Sequence, residues 1–305
     1  MTERIAPKTL AAVIVALLLW ASAFAGIKAG LVAYGPGQVA LLRFLTASAV
    51  LAGYATLTRM RLPDAKDVPR LLACGLLGIT IYHVGLNYGE VSVSASAASL
   101  IISLGPVFTA LMAAAFLGER LTWLGWLGIT IAFSGGAVIT LGEGGGLTFE
   151  PAALLVLLSA FTTGAYFVVG KPLLNKYSAF EFTSYVIWLG TLPMLVFAPG
   201  LLAQMPQAPA SATLAVVYLG IFPGAIAYVL WSHGLSKMPA SIVSSFLFVQ
   251  PLNATIIAWL WIREVPTLLT LVGGAVALVG VGLVSMKGRK AAELSAAAEP
   301  GPPDA

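Results

Sequence analysis

Ten apolar runs of about twenty residues fill most of this chain of 305 residues: roughly 9–31, 37–57, 71–90, 93–117, 121–141, 151–170, 180–199, 212–233, 239–262 and 267–286. A run of that length crosses about 30 Å of hydrocarbon as a helix. Lipid offers backbone amides no partners, so only helices and closed barrels span it. Alternating strands are absent from the sequence, and the runs are therefore predicted helices. Charged residues make up 9% of the chain, against about 25% in a soluble domain. The expected class is all-α integral membrane, with ten transmembrane helices. The single cysteine, Cys74, excludes an internal disulfide and any multi-cysteine metal site. No metal and no cofactor is expected.

Charge sets the expected orientation. With the N-terminus inside, the cytoplasmic segments hold Arg4, Lys8, Arg59, Arg61, Lys66, Arg70, Arg120, Lys171, Lys176, Lys237, Lys287, Arg289 and Lys290. That is thirteen of the sixteen Lys and Arg, as the positive-inside rule requires. Both termini are expected in the cytoplasm of a bacterial cell, with the chain in its inner membrane. The net charge of +4 thus reports topology and not nucleic-acid binding. Arg4 and Lys8 before an apolar run containing "ASA" at 21–23 imitate a cleavable signal. However, Phe24, Lys28 and Tyr34 return as Phe167, Lys171 and Tyr177, each 143 positions later. A signal peptide has no reason to be duplicated within the mature chain, so this run is read as helix 1.

A second offset, 145, relates 75–140 to 220–285 without gaps. Gly75, Ile81, Val84, Gly89, Ala95, Ser96 and Ser99 match Gly220, Ile226, Val229, Gly234, Ala240, Ser241 and Ser244. Pro106, Ala113, Glu119, Thr122, Leu124, Gly128, Ala132 and Gly135 match Pro251, Ala258, Glu264, Thr267, Leu269, Gly273, Ala277 and Gly280. The expected organisation is a cytoplasmic N-terminus (1–8), a first repeat (9–142), a second repeat (151–286) and a disordered tail (287–305). Five helices is an odd number, so the second unit enters the membrane inverted relative to the first. Inverted repeats are a known plan for carriers that work by alternating access.

The stretch "GLNYGEVSVSASAASLIISLGPVFTALMAAAFLGERLTWLGWLGITIAFSGGAVI", its second copy at 220–285 and "LLRF" at 41–44 resemble the EamA-type domain of the drug/metabolite transporter superfamily. The resemblance covers about 10–286. Within the superfamily the chain most resembles YddG-type bacterial amino-acid exporters, which implies export of aromatic and other neutral amino acids.

Polar stripes mark where a cavity would lie. Thr80, His83 and Asn87 are spaced 3 and 4 on helix 3, with Tyr82 beside them; their counterparts on helix 8 are Ala225, Tyr228 and Ser232. Ser92, Ser96, Ser99 and Ser103 form a second stripe, partly repeated by Ser241 and Ser244. Such serines either line a site or let helices pack closely. The expected substrate cavity comprises Trp20, Arg43, Tyr82, His83, Asn87, Ser99, Tyr166, Trp188, Tyr228, Ser244 and Gln250, with Pro106 and Pro251 as hinge or packing points. Arg43 is the one fully ionised residue well inside a helix, and it serves either structure or a substrate carboxylate. Lys28 and Lys171 are read as snorkelling. Helices 5 and 10, poor in polar side chains, are expected at the periphery against lipid or a partner subunit.

All twelve acids fall in loops, tails or helix ends, Glu90 among the last. No carboxylate is expected at the midplane, which argues against obligatory proton or sodium coupling. "GAYFVVGKP" at 164–172 fails as a phosphate loop in spacing and in carrying Pro172. HExxH and GxSxG are absent, so no enzyme is expected. The partners expected are small-molecule substrates, amino acids first, and membrane lipids, with the chain possible as a monomer. Another small metabolite, a cationic drug, a channel and an intramembrane enzyme are the alternatives.

Overall fold

The computed structural model describes residues 7–116, 122–143, 150–237, 243 and 246–287. Glu119, Ser241, Ser244 and the tail beyond 287 lie outside them. Every regular element among the described residues is helical. We number them α1 (Pro7–Leu31), α2 (Pro36–Leu57), α3 (Ala65–Gly89), α4 (Ala95–Met112, continuing to Phe116), α5 (Trp123–Glu143), α6 (Ala153–Asn175), α7 (Ala179–Gln207), α8 (Ala210–Lys237), α9 (Gln250–Ile262) and α10 (Leu268–Lys287). Seven, α1 to α4 and α6 to α8, are long and apolar enough to cross a membrane. The apolar stretches of α5 and α10 are shorter, Trp123–Ile139 and Leu268–Val284, and α9 has 13 residues.

Local chemistry sets several ends. Pro36 opens α2, where its missing N–H costs nothing. Ser94 caps α4 by accepting from Ala97 N, and Ser178 with Glu181 forms a capping box on α7. Arg263 ends α9 in the left-handed region at φ 58. α4 and the chain leading into α9 both break just before a proline. In α4 a turn at Ser103 and Leu104 precedes Gly105–Phe116, which holds Pro106. In α9 a 3-10 stretch, Phe246–Val249, leads into Gln250 and Pro251.

The two halves share their irregularities and their packing. α3 widens into a π-helix at Leu76–Ile81 and α8 at Gly220–Ile226, positions 145 apart at their C-terminal ends. α1 packs on α8 and α9, as α6 packs on α3 and α4; α2 packs on α8, as α7 packs on α3. α5 and α10 pack along each other. A Cβ on Gly135 would stand 2.3 Å from Ala277 N, and one on Gly280 would stand 2.3 Å from Ala132 N. These two contacts exchange into each other under the repeat. The peripheral placement expected for helices 5 and 10 thus needs one addition: their small residues face one another, leaving Trp123, Trp126, Leu268 and Val272 exposed.

The two ends of the bundle differ in chemistry. At one, Lys176 bridges Asp64 and Asp67, Arg61 pairs with Glu181 at 2.9 Å, and Tyr177 donates to Asp67 at 2.6 Å. At the other, Tyr34 meets Thr213 at 2.7 Å and Glu264 accepts from Ala95 N and Ser96 N at 3.1 Å each. Tyr34 and Tyr177 are repeat counterparts, and they sit beyond opposite ends of α2.

Candidate functional site

Trp20, Arg43, Tyr82, His83, Tyr166, Tyr228 and Gln250 converge on one cavity in the middle of the bundle. Its free volume is about 40 Å³. A water needs about 10–15 Å³ on that measure. In this conformation the cavity has room for a few waters, and a larger guest requires it to widen.

Five pairs of repeat counterparts line it: Trp20 with Thr163, Ala23 with Tyr166, Phe24 with Phe167, His83 with Tyr228, and Ile102 with Leu247. The cavity is thus lined by matching positions of the two halves. His83 Nε2 and Tyr228 Oη lie 3.0 Å apart, directly across it. Tyr228 Oη also donates to Gly78 O at 3.2 Å, and Trp20 Nε1 to Pro223 O at 3.0 Å. Both acceptors belong to the π-helical stretches. Cavity side chains therefore read the backbone where each helix departs from α geometry, as π-turns at functional sites often allow.

Aromatic rings make up about half of the wall and pack on others behind it. Trp20 lies 5.1 Å from Tyr228 and 4.9 Å from Trp231, and His83 lies 4.5 Å from both Tyr82 and Phe44. Arg43 is buried, and its Nε and Nη1 have no hydrogen-bond partner among the described residues. Donors left unpartnered on a buried guanidinium are costly unless an anion completes them. Among the described residues, no acid lines the cavity. His83 Nδ1 is likewise without a partner. No described His, Cys, Asp and Glu cluster could hold a metal.

The other expected residues lie elsewhere. Asn87 is buried beside the cavity and donates to Pro36 O at 3.1 Å. Ser99 donates to Ser96 O at 2.7 Å within α4, which is the packing alternative. Trp188 donates to Ser48 O at 3.2 Å, between α7 and α2. Pro106 and Pro251 mark the helix breaks described above. Phe24, Phe167, Thr163 and Leu247 also line the cavity and were not expected there, although the 143 offset had already paired Phe24 with Phe167 and the same offsets pair Thr163 and Leu247 with lining residues. Glu90 was passed over as a helix-end acid, yet it is fully buried.

A family model for the EamA-like transporter family matches residues 7–141 and again 150–286. The chain is 44% identical over 272 residues to "Uncharacterized transporter YdfC" of Bacillus subtilis, covering 89% of each chain. It is 39% identical over 280 residues to "Probable terminal-alkyne amino-acid exporter" of Streptantibioticus cattleyicolor, covering 92% of this chain and 94% of that one. It is 26% identical to "Uncharacterized inner membrane transporter YedA" of Escherichia coli, covering 79% and 78%. A solved crystal structure at 22% identity superposes with a TM-score of 0.62 over 90% of this chain and 95% of that chain, a likeness of fold. The chain, matched twice by one model, belongs to the EamA-like transporter family.

Proposed function

We propose that this transporter is a carrier that exports small neutral amino acids, aromatic ones among them, by alternating access around the central cavity. Ten spans in two inverted five-helix repeats, with both termini in the cytoplasm of a bacterial inner membrane, form the working unit, and one chain suffices. The observation that carries the reading is the cavity wall built from repeat counterparts. A site on the exchange axis presents the same residues to either side of the membrane as the two bundles trade conformations. Tyr34 and Tyr177, counterparts at opposite ends of the bundle, favour the inverted arrangement.

The substrate follows from the lining. Arg43 offers unpartnered donors to a carboxylate. Trp20, Tyr82, Tyr166 and Tyr228 offer faces to an apolar side chain and to an ammonium group. A guanidinium in the wall disfavours a cationic drug. The relative whose name is an amino-acid exporter points the same way.

Counterflow tests this. Purified protein in liposomes loaded with an unlabelled neutral amino acid should accumulate the labelled one, saturably. The corresponding amino-acid amide should compete poorly, because it lacks the carboxylate that Arg43 would hold. Absence of counterflow with every amino acid tried would reject the substrate class.

A further inference from the structure

Glu90 follows the last residue of α3, at the end of the bundle where Glu264 caps α4. Its side chain is 0% exposed, and neither carboxylate oxygen has a hydrogen-bond partner among the described residues. Two further acceptors nearby in sequence are also buried and unpartnered, Asn87 Oδ1 one turn earlier and Ser96 Oγ at the start of α4. The charged groups acting on Glu90 are Lys28 from α1, Arg43 from α2 and Glu264 beyond α9. None forms an ion pair or hydrogen bond with it. Glu150, at the start of α6 where Gly89 packs, instead turns its carboxylate onto Ala152 N. An ionised carboxylate stripped of water and left without a donor is strongly disfavoured; the group takes up a proton instead.

We propose that Glu90 is a proton-binding site coupled to the opening of this end of the protein. In the closed form the side chain is the neutral acid, its proton taken from water on that side before closure. When the end opens, water reaches the carboxyl, the O–H bond breaks and the proton returns to that water. Closure thus consumes one proton and opening releases one. The transport cycle carries a proton-linked step even though no acid among the described residues lines the central cavity. This rests on the reading that the end opens during transport.

Two measurements test it. Infrared spectroscopy of the purified protein near neutral pH should reveal the carbonyl band of a buried protonated carboxylic acid, lost in Glu90→Gln. Separately, Val93→Cys in a Cys74→Ala background places a thiol at a fully buried position on the same end, and Val91→Cys gives an exposed reference. Alkylation of Cys at 93 relative to Cys at 91 should rise with pH, at most about tenfold per pH unit for one proton. Added Glu90→Gln should flatten that dependence. An unchanged infrared band in Glu90→Gln overturns the proposal, as does a pH profile that Glu90→Gln leaves intact. Accessibility that follows sodium and ignores pH overturns it in favour of a cation site. If position 93 never reacts at any pH while the band is lost in Glu90→Gln, the proton site stands and its coupling to opening, together with alternating access, falls.

Discussion

His83 and Tyr228 stand 145 residues apart, occupy equivalent positions in the two halves, and hydrogen-bond to each other at 3.0 Å. Only residues on the exchange axis can touch their own counterparts. Ser48 and Thr191, counterparts at the 143 offset, do the same at 3.3 Å. The two halves have diverged where they meet: one supplies an imidazole, the other a phenol. Tyr228→Phe keeps the ring and deletes the link from His83 to Gly78 O. Loss of a buried hydrogen bond costs about 1–3 kcal/mol, so counterflow should fall about tenfold with thermal unfolding shifted by only a few degrees. His83→Gln should behave alike, and the double variant should be little worse than either. Additive losses would mean the two residues act separately.

Arg43 tests the carboxylate reading most directly. Arg43→Lys keeps the charge and loses the planar fork. It should weaken transport of amino acids by about tenfold or more while leaving the protein folded. Arg43→Gln should remove the preference for the acid over the amide in competition. Retained preference in a folded Arg43→Gln protein would assign the guanidinium to structure.

The helix breaks at Pro106 and Pro251 and the pairing of His83 with Tyr228 were legible from spacing, because each pair keeps a fixed offset. What the offsets could not supply is which counterparts meet. Equal spacing fits a distant pair as well as a touching one, and only packing places the axis at His83. Trp188 illustrates the limit, since an aromatic residue mid-helix reads alike whether it faces a cavity or the neighbouring α2. Glu90 illustrates it further. Its helix-end position suggested solvent, yet it is buried at the end where α6 packs on Gly89 and Glu264 caps α4, both remote in sequence.

The glycine contacts between α5 and α10 should be equally intolerant on both sides. Gly135→Ala and Gly280→Ala each press a methyl to 2.3 Å from a backbone nitrogen of the partner helix. Backbone cannot step aside as a flexible side chain can, so each should cost about 1–3 kcal/mol. Gly53→Ala in α2, where a Cβ meets nothing within 4 Å, should be neutral or stabilise by about 0.5–1 kcal/mol through helix propensity. Thermal unfolding in detergent compares the three.

The Lys176 bridge should show itself in acid. Lys176 hydrogen-bonds Asp64 and holds its carboxyl below the ordinary range. A carboxyl depressed in the folded state stabilises above its unfolded pKa of about 4, and that stabilisation is lost as pH falls through the folded value. Lys176→Met should therefore lower the melting temperature at neutral pH, and the gap to wild type should close toward acid. The groups are solvent-facing, so salt should narrow the gap too. A gap independent of pH and salt would assign the loss to packing of the lysine stem.

Sidedness is the remaining expectation. α7 runs from the Lys176–Glu181 end of the bundle to Gln207 at the other. Lys66 lies in the first, 3-10 turn of α3, between Asp64 and Asp67, which both bridge to Lys176. Lys66 and Gln207 therefore mark opposite ends, and Arg59, Arg61, Arg70, Lys171 and Lys176 cluster with Lys66. Basic residues gather on the cytoplasmic side because they resist translocation. Single cysteines at the two positions, in a Cys74→Ala background, should divide accordingly. In intact cells an impermeant thiol reagent should label Gln207→Cys and spare Lys66→Cys until the membrane is permeabilised. Labelling of Lys66→Cys in intact cells, with Gln207→Cys protected, would invert the orientation and place the Glu90 end in the cytoplasm.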